Sequence, residues 1–204
     1  MNTDDLFDTA ETSHQIELPD SDLLLYPHFF SHSESDRYLS ELSESIRWTQ
    51  DTIQIYGKQH LVPRLSAWYA DEGRSYQYSG IELSGMPLSD ILHEIKQKIE
   101  NETDVRFNSV LANCYRDGKD GVGWHADDEE ELGEEPVIAS VSFGEERIFQ
   151  LKHKEDKTLK KSFVLPHGSL LVMRGLTQKK WLHQLPKSAK LMQKRINLTF
   201  RIIQ

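Results

Sequence analysis

The sequence predicts a mainly β fold with flanking helices, and three observations carry that expectation. From Val105 onward, eight short strand-like runs recur at 108–115, 122–127, 138–143, 147–152, 162–165, 169–173, 181–185 and 195–203, punctuated by Gly, Pro and Asp. Short strands at that spacing point to an antiparallel sandwich or jelly roll. Upstream, Ser31 and Glu34 have capping-box spacing and precede a helical stripe of Tyr38, Leu39, Leu42 and Ile46. A second stripe after Pro87, with Leu88, Ile91, Leu92, Ile95 and Ile99 three and four residues apart, predicts another helix. Both helices are expected to pack on an outer face of the sheet. The intervening stretch 52–83, rich in Tyr, Ile and short polar runs, reads as β-hairpins and loops.

A chain of 204 residues suits one domain with a sizeable core. The expected organisation is a flexible acidic tail over 1–20 and one catalytic domain over 21–204. Within that domain, 21–104 holds the helices and hairpins and 105–204 the β core. No apolar run approaches a membrane span, and the acidic, polar start lacks the pattern of a signal peptide. The single cysteine, Cys114, excludes an internal disulfide and fits a reducing, cytoplasmic setting. The net charge of −9 argues against a nucleic-acid binder until its distribution is read. Residues 1–50 carry eleven acids and two bases, whereas 151–204 carry thirteen bases and two acids. A docking polyanion meets the local field, not the average. Taken alone, the run Lys152, Lys154, Lys157, Lys160 and Lys161 reads as a solvated loop.

The chemistry is concentrated in His125-Ala126-Asp127, His183 and the segment 195–201. Side chains two apart on a strand share a face, so His125 and Asp127 can grip one ion together. A second imidazole from a neighbouring strand, His183, completes two histidines and a carboxylate on one side of a metal. That set leaves the other coordination positions open, as a non-haem Fe(II) oxygenase requires. On the last strand, Arg195, Asn197, Thr199 and Arg201 share one face, and Ile196, Leu198, Phe200 and Ile202 the other. The two arginines stand six residues apart, about 20 Å along a strand. Each offers a bidentate fork to one end of a dicarboxylate, which Lys cannot. The cosubstrate expected is therefore 2-oxoglutarate, used with Fe(II) and O2.

These residues, together with Asn113-Cys-Tyr115, Gly118, Ser140–Gly144 and Leu165–Leu170, resemble the AlkB family of nucleic-acid dealkylases. The resemblance extends upstream through Ile55-Tyr56-Gly57-Lys58, Pro63-Arg64 and Tyr76–Gly80, the pattern of the branch that probes duplex DNA with a hairpin finger. It covers roughly 50–204. It implies a double-stranded β-helix (jelly roll) core with an N-terminal α/β nucleotide-recognition extension. It further implies that His125, Asp127 and His183 bind iron, and that Arg195 pairs with the distal carboxylate of 2-oxoglutarate. Arg201 would lie near the chelating carboxylate, and Asn113, Tyr115, Asn197 and Thr199 would complete the cosubstrate site. Cys114 points away from Asn113 and Tyr115 and is read as packing.

The implied reaction oxidatively removes N-methyl groups from 1-methyladenine and 3-methylcytosine, releasing formaldehyde and succinate. A methylated pairing edge is reached only after the base is flipped out of its stack. Tyr76 and Tyr78 are candidates for stacking or phosphate contact, although hairpin packing explains them equally well. Tyr56 would fill the gap left in the stack, Glu129 would meet the exocyclic amine, and Lys58 and Arg64 would serve a DNA groove. The acids over 128–135 read as a flap or a solvated loop. The partner expected is alkylated DNA bound by a monomer with no membrane association, in the nucleoid of a bacterium or the nucleus of a eukaryote. An RNA demethylase, or a 2-oxoglutarate hydroxylase of a protein or small molecule, remains the alternative.

Overall fold

The computed structural model describes residues 13–55, 57–71, 75–78 and 81–204. In chain order the strands are β1 (His14–Gln15), β2 (Asp22–Tyr26), β3 (Thr52–Ile55), β4 (Lys58–Leu61), β5 (Leu65–Ala70), β6 (Ser75–Tyr78), β7 (Ile81–Ser84), β8 (Ser109–Tyr115), β9 (Val122–His125), β10 (Ile138–Gly144), β11 (Arg147–His153), β12 (Lys160–Leu165), β13 (Ser169–Arg174), β14 (Trp181–Leu185) and β15 (Arg195–Arg201). The helices are α1 (His32–Ser45), α2 (Asp90–Thr103) and the short α3 (Thr177–Lys180). A major sheet runs β1-β2-β13-β10-β15-β8-β5 and a minor one β12-β11-β14-β9, while β3-β4 and β6-β7 form separate hairpins. Every named pairing in the two large sheets is antiparallel. This is the expected jelly roll, and all eight strands read in the core are present.

The strand period of two builds the sheet so that its faces differ. On one face of the major sheet Val110, Ala112, Cys114, Val141, Phe143, Leu198 and Phe200 are buried against Tyr38, Leu42, Ile95 and Ile99 of the two long helices. Ser31 begins α1 with the expected capping box, its hydroxyl accepting from the Glu34 N–H and its own N–H donating to Glu34 Oε2 at 2.8 Å. Such a cap is worth about 1 kcal/mol. The opposite face of the major sheet turns toward the minor sheet, and a second apolar cluster there includes Leu111, Phe149, Leu151, Met173 and Trp181.

Two expectations about the chain's edges are corrected. Residues 13–20 are not a tail: β1 pairs with β2, the Ile16 N–H donates to the Leu23 carbonyl, and Trp181 Nε1 donates to the Pro19 carbonyl at 2.9 Å. Residues 1–12 lie outside the described residues. The acid run is not a free flap either. Glu130–Leu132 form a 3-10 turn whose Leu132 is buried, and the Gln204 N–H donates to the Glu131 carbonyl. The buried Leu132 and this backbone hydrogen bond tie down the charged segment.

Candidate active site

The register of the central strands sets the polar cavity. Arg195 pairs with Tyr115 and Asn197 with Asn113 across β15 and β8. On the other side, Asn197 pairs with Ser142 and Thr199 with Ser140 across β15 and β10. All seven residues of β15 are buried. That burial decides between the two readings of its polar face: Arg195, Asn197, Thr199 and Arg201 look into the space between the sheets, not into solvent. Asn197 Nδ2 donates to Ser140 Oγ and to the Val141 carbonyl, and Thr199 Oγ1 donates to Asn197 Oδ1. Asn113 Oδ1 accepts from Arg64 Nε at 2.8 Å. Arg64 was expected on a DNA groove. It is instead 8% exposed and lines this cavity, because its strand-leading position turns it inward with Ser66.

At one end of the cavity His125, Asp127 and His183 bring three ligand atoms within 4.8 Å of one another. His183 and His125 are register partners across β14 and β9. The register slips between His183 and Leu185, which face His125 and Val122, so Gly123 and Trp124 together oppose Gln184. Such a bulge re-aims the next side chain. The Gly123 carbonyl then lies 2.8 Å from His125 Nδ1, and since a carbonyl only accepts, Nδ1 carries the proton and Nε2 keeps its lone pair. His183 stacks on Phe149 with ring centroids 5.3 Å apart. Burial, reinforced by His125, pushes its pKa down to about 3, so it is a neutral ligand at neutral pH.

Asp127 arrives differently from the way the alternation argument places it. β9 ends at His125, so no strand pairing holds the carboxylate. Its N–H donates to Gln178 Oε1 at 3.0 Å, and its Oδ1 accepts from Arg201 Nη2 at 2.8 Å, both side chains of the ion pair being almost fully buried. Burial opposes ionisation, but the Arg201 charge and the two imidazoles outweigh it and hold the carboxyl below its usual range. Arg201 is thus engaged with the carboxylate of the triad.

Arg195, six residues back on the same face, has no such partner. Its Nη2 donates to Ser142 Oγ at 2.8 Å and its guanidinium lies 5.2 Å from the Tyr115 ring centre. Its Nε has no hydrogen-bond partner, and no carboxylate pairs with it among the described residues. Burial pushes it down to about 10, so it stays cationic at neutral pH. A buried cation without an anion is costly unless something supplies one. The donor set therefore fits both groups: an open facial triad for Fe(II), and an uncompensated fork for the far carboxylate of 2-oxoglutarate.

Two residues that sequence reading passed over support this arrangement. Gln178, on the four-residue helix α3, holds the Asp127 backbone. Arg147 is buried and donates to the Asp117, Asp120 and Pro186 carbonyls. It also lies 5.8 Å from the Tyr115 ring centre, on the ring that Arg195 contacts. A Cβ on Gly118 would meet the Ser188 carbonyl at 2.7 Å, and one on Gly121 the Leu185 carbonyl at 2.6 Å. The loops at 117–121 and 185–190 thus close on one another around Arg147. The sequence carried a signal for it: Arg147 shares a strand face with Phe149 and Leu151, a charge in an apolar row.

One other expected residue that is described is not brought to the cavity. Glu129 is half-buried at the start of the 3-10 turn and does not line it. Tyr56 lies outside the described residues, as do the side chains of Lys58, Tyr76 and Tyr78. The hairpins that carry them are present: Ile55 pairs with Lys58, with Gly57 at φ +75°, and Tyr78 pairs with Ile81. A second group of possible ligands, His32, Asp36 and His167, lies on the surface. There His167 Nδ1 accepts the Gly144 N–H at 2.7 Å, which puts the proton on Nε2 and leaves no lone pair to offer an ion.

Residues 22–201 match the 2OG-Fe(II) oxygenase superfamily. The chain is 39% identical over 188 residues to the human DNA oxidative demethylase ALKBH2, across 87% of this chain and 72% of that protein. The chain belongs to the AlkB branch of the 2OG-Fe(II) oxygenase superfamily. It is also 40% identical over 192 residues to human alpha-ketoglutarate-dependent dioxygenase alkB homolog 3, and 40% identical over 212 residues to the Arabidopsis thaliana DNA oxidative demethylase ALKBH2, in each case over 90% of this chain. The chain spans about two thirds of those two relatives, 66% and 67% of their lengths. A solved structure, that of OsALKBH1, superposes with a TM-score of 0.63 over 92% of this chain and 100% of that one, at 15% identity, and bears out the fold. No described helix is long and apolar enough to cross a membrane.

Proposed function

We propose that this protein is a DNA-repair dioxygenase that removes N-methyl groups from alkylated bases, 1-methyladenine and 3-methylcytosine among them. The observation that carries the reading is the pairing of an open His-Asp-His triad with a buried, anion-seeking Arg195 inside one cavity. The names of its relatives as DNA oxidative demethylases support DNA as the substrate. Bound iron, with 2-oxoglutarate and O2, supplies the oxidising power that hydroxylates an N-methyl carbon, which then leaves as formaldehyde.

The chain's own residues then have separable tasks. His125, Asp127 and His183 hold the metal from one side, and Arg201 and Gln178 hold Asp127. Arg195, with Tyr115 and Ser142, receives the far carboxylate of the cosubstrate, while Asn113 offers its amide N–H along its length and Asn197 holds Ser140 and Thr199 in place beside it. No side chain acts as a nucleophile. A second cleft of about 340 Å³ lies between the 51–64 segment and β9 and shares Arg64, Val122 and His125 with the cavity. We assign the flipped base to that cleft, since a stacked base cannot bring its pairing edge to the metal. Positive charge on the methylated base suits a site whose rim holds Asp51. Tyr56, Lys58, Tyr76 and Tyr78, on the two hairpins, remain the proposed contacts to the strand.

The test is formaldehyde release from oligonucleotides carrying 1-methyladenine, beside methylated RNA and peptide substrates. Release from DNA that depends on Fe(II) and 2-oxoglutarate is expected; release from none of the methylated strands refutes the assignment. Asp127→Ala is expected to abolish turnover while DNA binding persists.

A further inference from the structure

The basic hairpin of β11 and β12 contains one lysine whose surroundings differ from its neighbours'. Lys154 pairs with Asp128 at 2.8 Å, and Lys157 donates to a backbone carbonyl. Lys152 has no carboxylate partner among the described residues. Its ammonium instead reaches across β14 to lie 4.3 Å from the ring centre of Trp124. Its register partners are the half-buried Leu182 on one side and the exposed Lys160 on the other. Trp124 is 38% exposed, an unusual position for the largest apolar side chain, and it sits in the bulge that immediately precedes the metal ligand His125. It also lines the 340 Å³ cleft that His125 and Arg64 share with the cavity.

Neither packing nor catalysis accounts for this arrangement. The ring contributes to neither apolar core, and its strand is the edge of the minor sheet. An exposed indole with a mobile ammonium over one face is suited to a ligand that is flat and anionic at once. A nucleotide has both properties: its base stacks on an aromatic face and its phosphate takes the lysine. Resting on the reading of the cleft given above, we propose that Trp124, Lys152 and Lys160 form a track for single-stranded nucleic acid. Trp124 stacks an unpaired base beside the flipped one, and the two lysines bind the phosphates that follow across the outer face of the minor sheet. Stacking tolerates every base, so the track sets affinity for strand over free nucleoside and not sequence preference.

The test titrates the full chain with a short unmethylated oligothymidylate, reading tryptophan fluorescence and, with a labelled strand, anisotropy. Trp68 and Trp181 are buried and Trp48 packs against the helical core, so quenching by the strand should come from Trp124. Trp124→Phe should lose the quenching and keep the affinity, since phenylalanine still stacks. Trp124→Ala should weaken binding about five- to hundredfold, the range for loss of one stacking aromatic. Lys152→Ala should flatten the slope of log affinity against log salt by about 0.7, one phosphate contact on a single strand. Quenching that persists in Trp124→Phe, or unchanged binding in Trp124→Ala, overturns the track. A wild-type protein that binds and is quenched but releases no formaldehyde overturns the proposed reaction and leaves the track standing.

Discussion

Arg195 and Arg201 stand at the two ends of one strand face, six residues apart and equally buried, yet their electrostatic situations are opposite. Arg201 meets Asp127 at 2.8 Å and completes the metal end of the cavity. Arg195 meets the Ser142 hydroxyl and Tyr115, both uncharged at neutral pH, and no carboxylate among the described residues. The same residue type, placed twice by the same period-two pattern, thus has a carboxylate partner at one end of the strand and none among the described residues at the other. What separates the two is the loop after β9, which carries a carboxylate to one arginine and none to the other.

The sharpest way to break this comparison is to remove each charge in turn from the metal- and cosubstrate-free protein. Asp127→Ala leaves Arg201 buried without its anion and should lower unfolding free energy by about 3–5 kcal/mol, measured by urea denaturation, besides abolishing turnover. Arg195→Met removes a cation that had no anionic partner among the described residues and should leave stability unchanged or raise it. Equal losses in the two variants would contradict the distinction. In wild type, 2-oxoglutarate at about a hundred times its Kd, with Mn(II) in place of iron, should stabilise by about 2.7 kcal/mol, a rise in Tm of roughly 5–10 °C. Arg195→Met should erase that rise.

Two smaller effects sharpen each end. Gln178→Leu deprives the Asp127 N–H of its acceptor and should weaken metal affinity about 10- to 100-fold, the usual effect of losing a group that orients a ligand. At the other end, Asp120 accepts the Arg116 backbone N–H and binds its guanidinium in the loop that Arg147 pins. Burial opposes its ionisation, but Arg116 outweighs that and keeps its folded pKa below the ordinary 3.8. Its stabilisation is therefore fully present above about pH 4 and lost as pH falls through the depressed folded value. Asp120→Asn should cost about 1.5–3 kcal/mol at pH 7. That difference should shrink toward zero below pH 4 in parallel urea titrations.

The parts legible in the sequence are those a period reveals. The strands of the core and both long helices follow from alternation and from three- and four-residue stripes, and the core-strand boundaries fall within two residues of those expected. His125, His183 and the polar face of β15 follow the same way. Residues held by non-periodic contacts were at most partly legible. Gln178 sits on a helix of four residues, too short to show a stripe, and its partner is a backbone N–H. Arg147 binds three carbonyls, which carry no residue identity. The Asp127–Arg201 pair joins positions 74 apart in the chain, and nothing in either segment announces it. The bulge at Gly123 and Trp124 is likewise a property of register, and alternation read through it predicted a strand longer than the one that forms.

We propose Arg195 as the residue that receives the cosubstrate's far carboxylate. Calorimetric binding of 2-oxoglutarate and of 2-oxovalerate, which has the same five carbons without that carboxylate, to the Mn(II)-loaded wild type and to Arg195→Met tests it most directly. The account predicts that wild type strongly prefers 2-oxoglutarate and that the variant binds both weakly, with the preference gone. A preference that survives in Arg195→Met would contradict it.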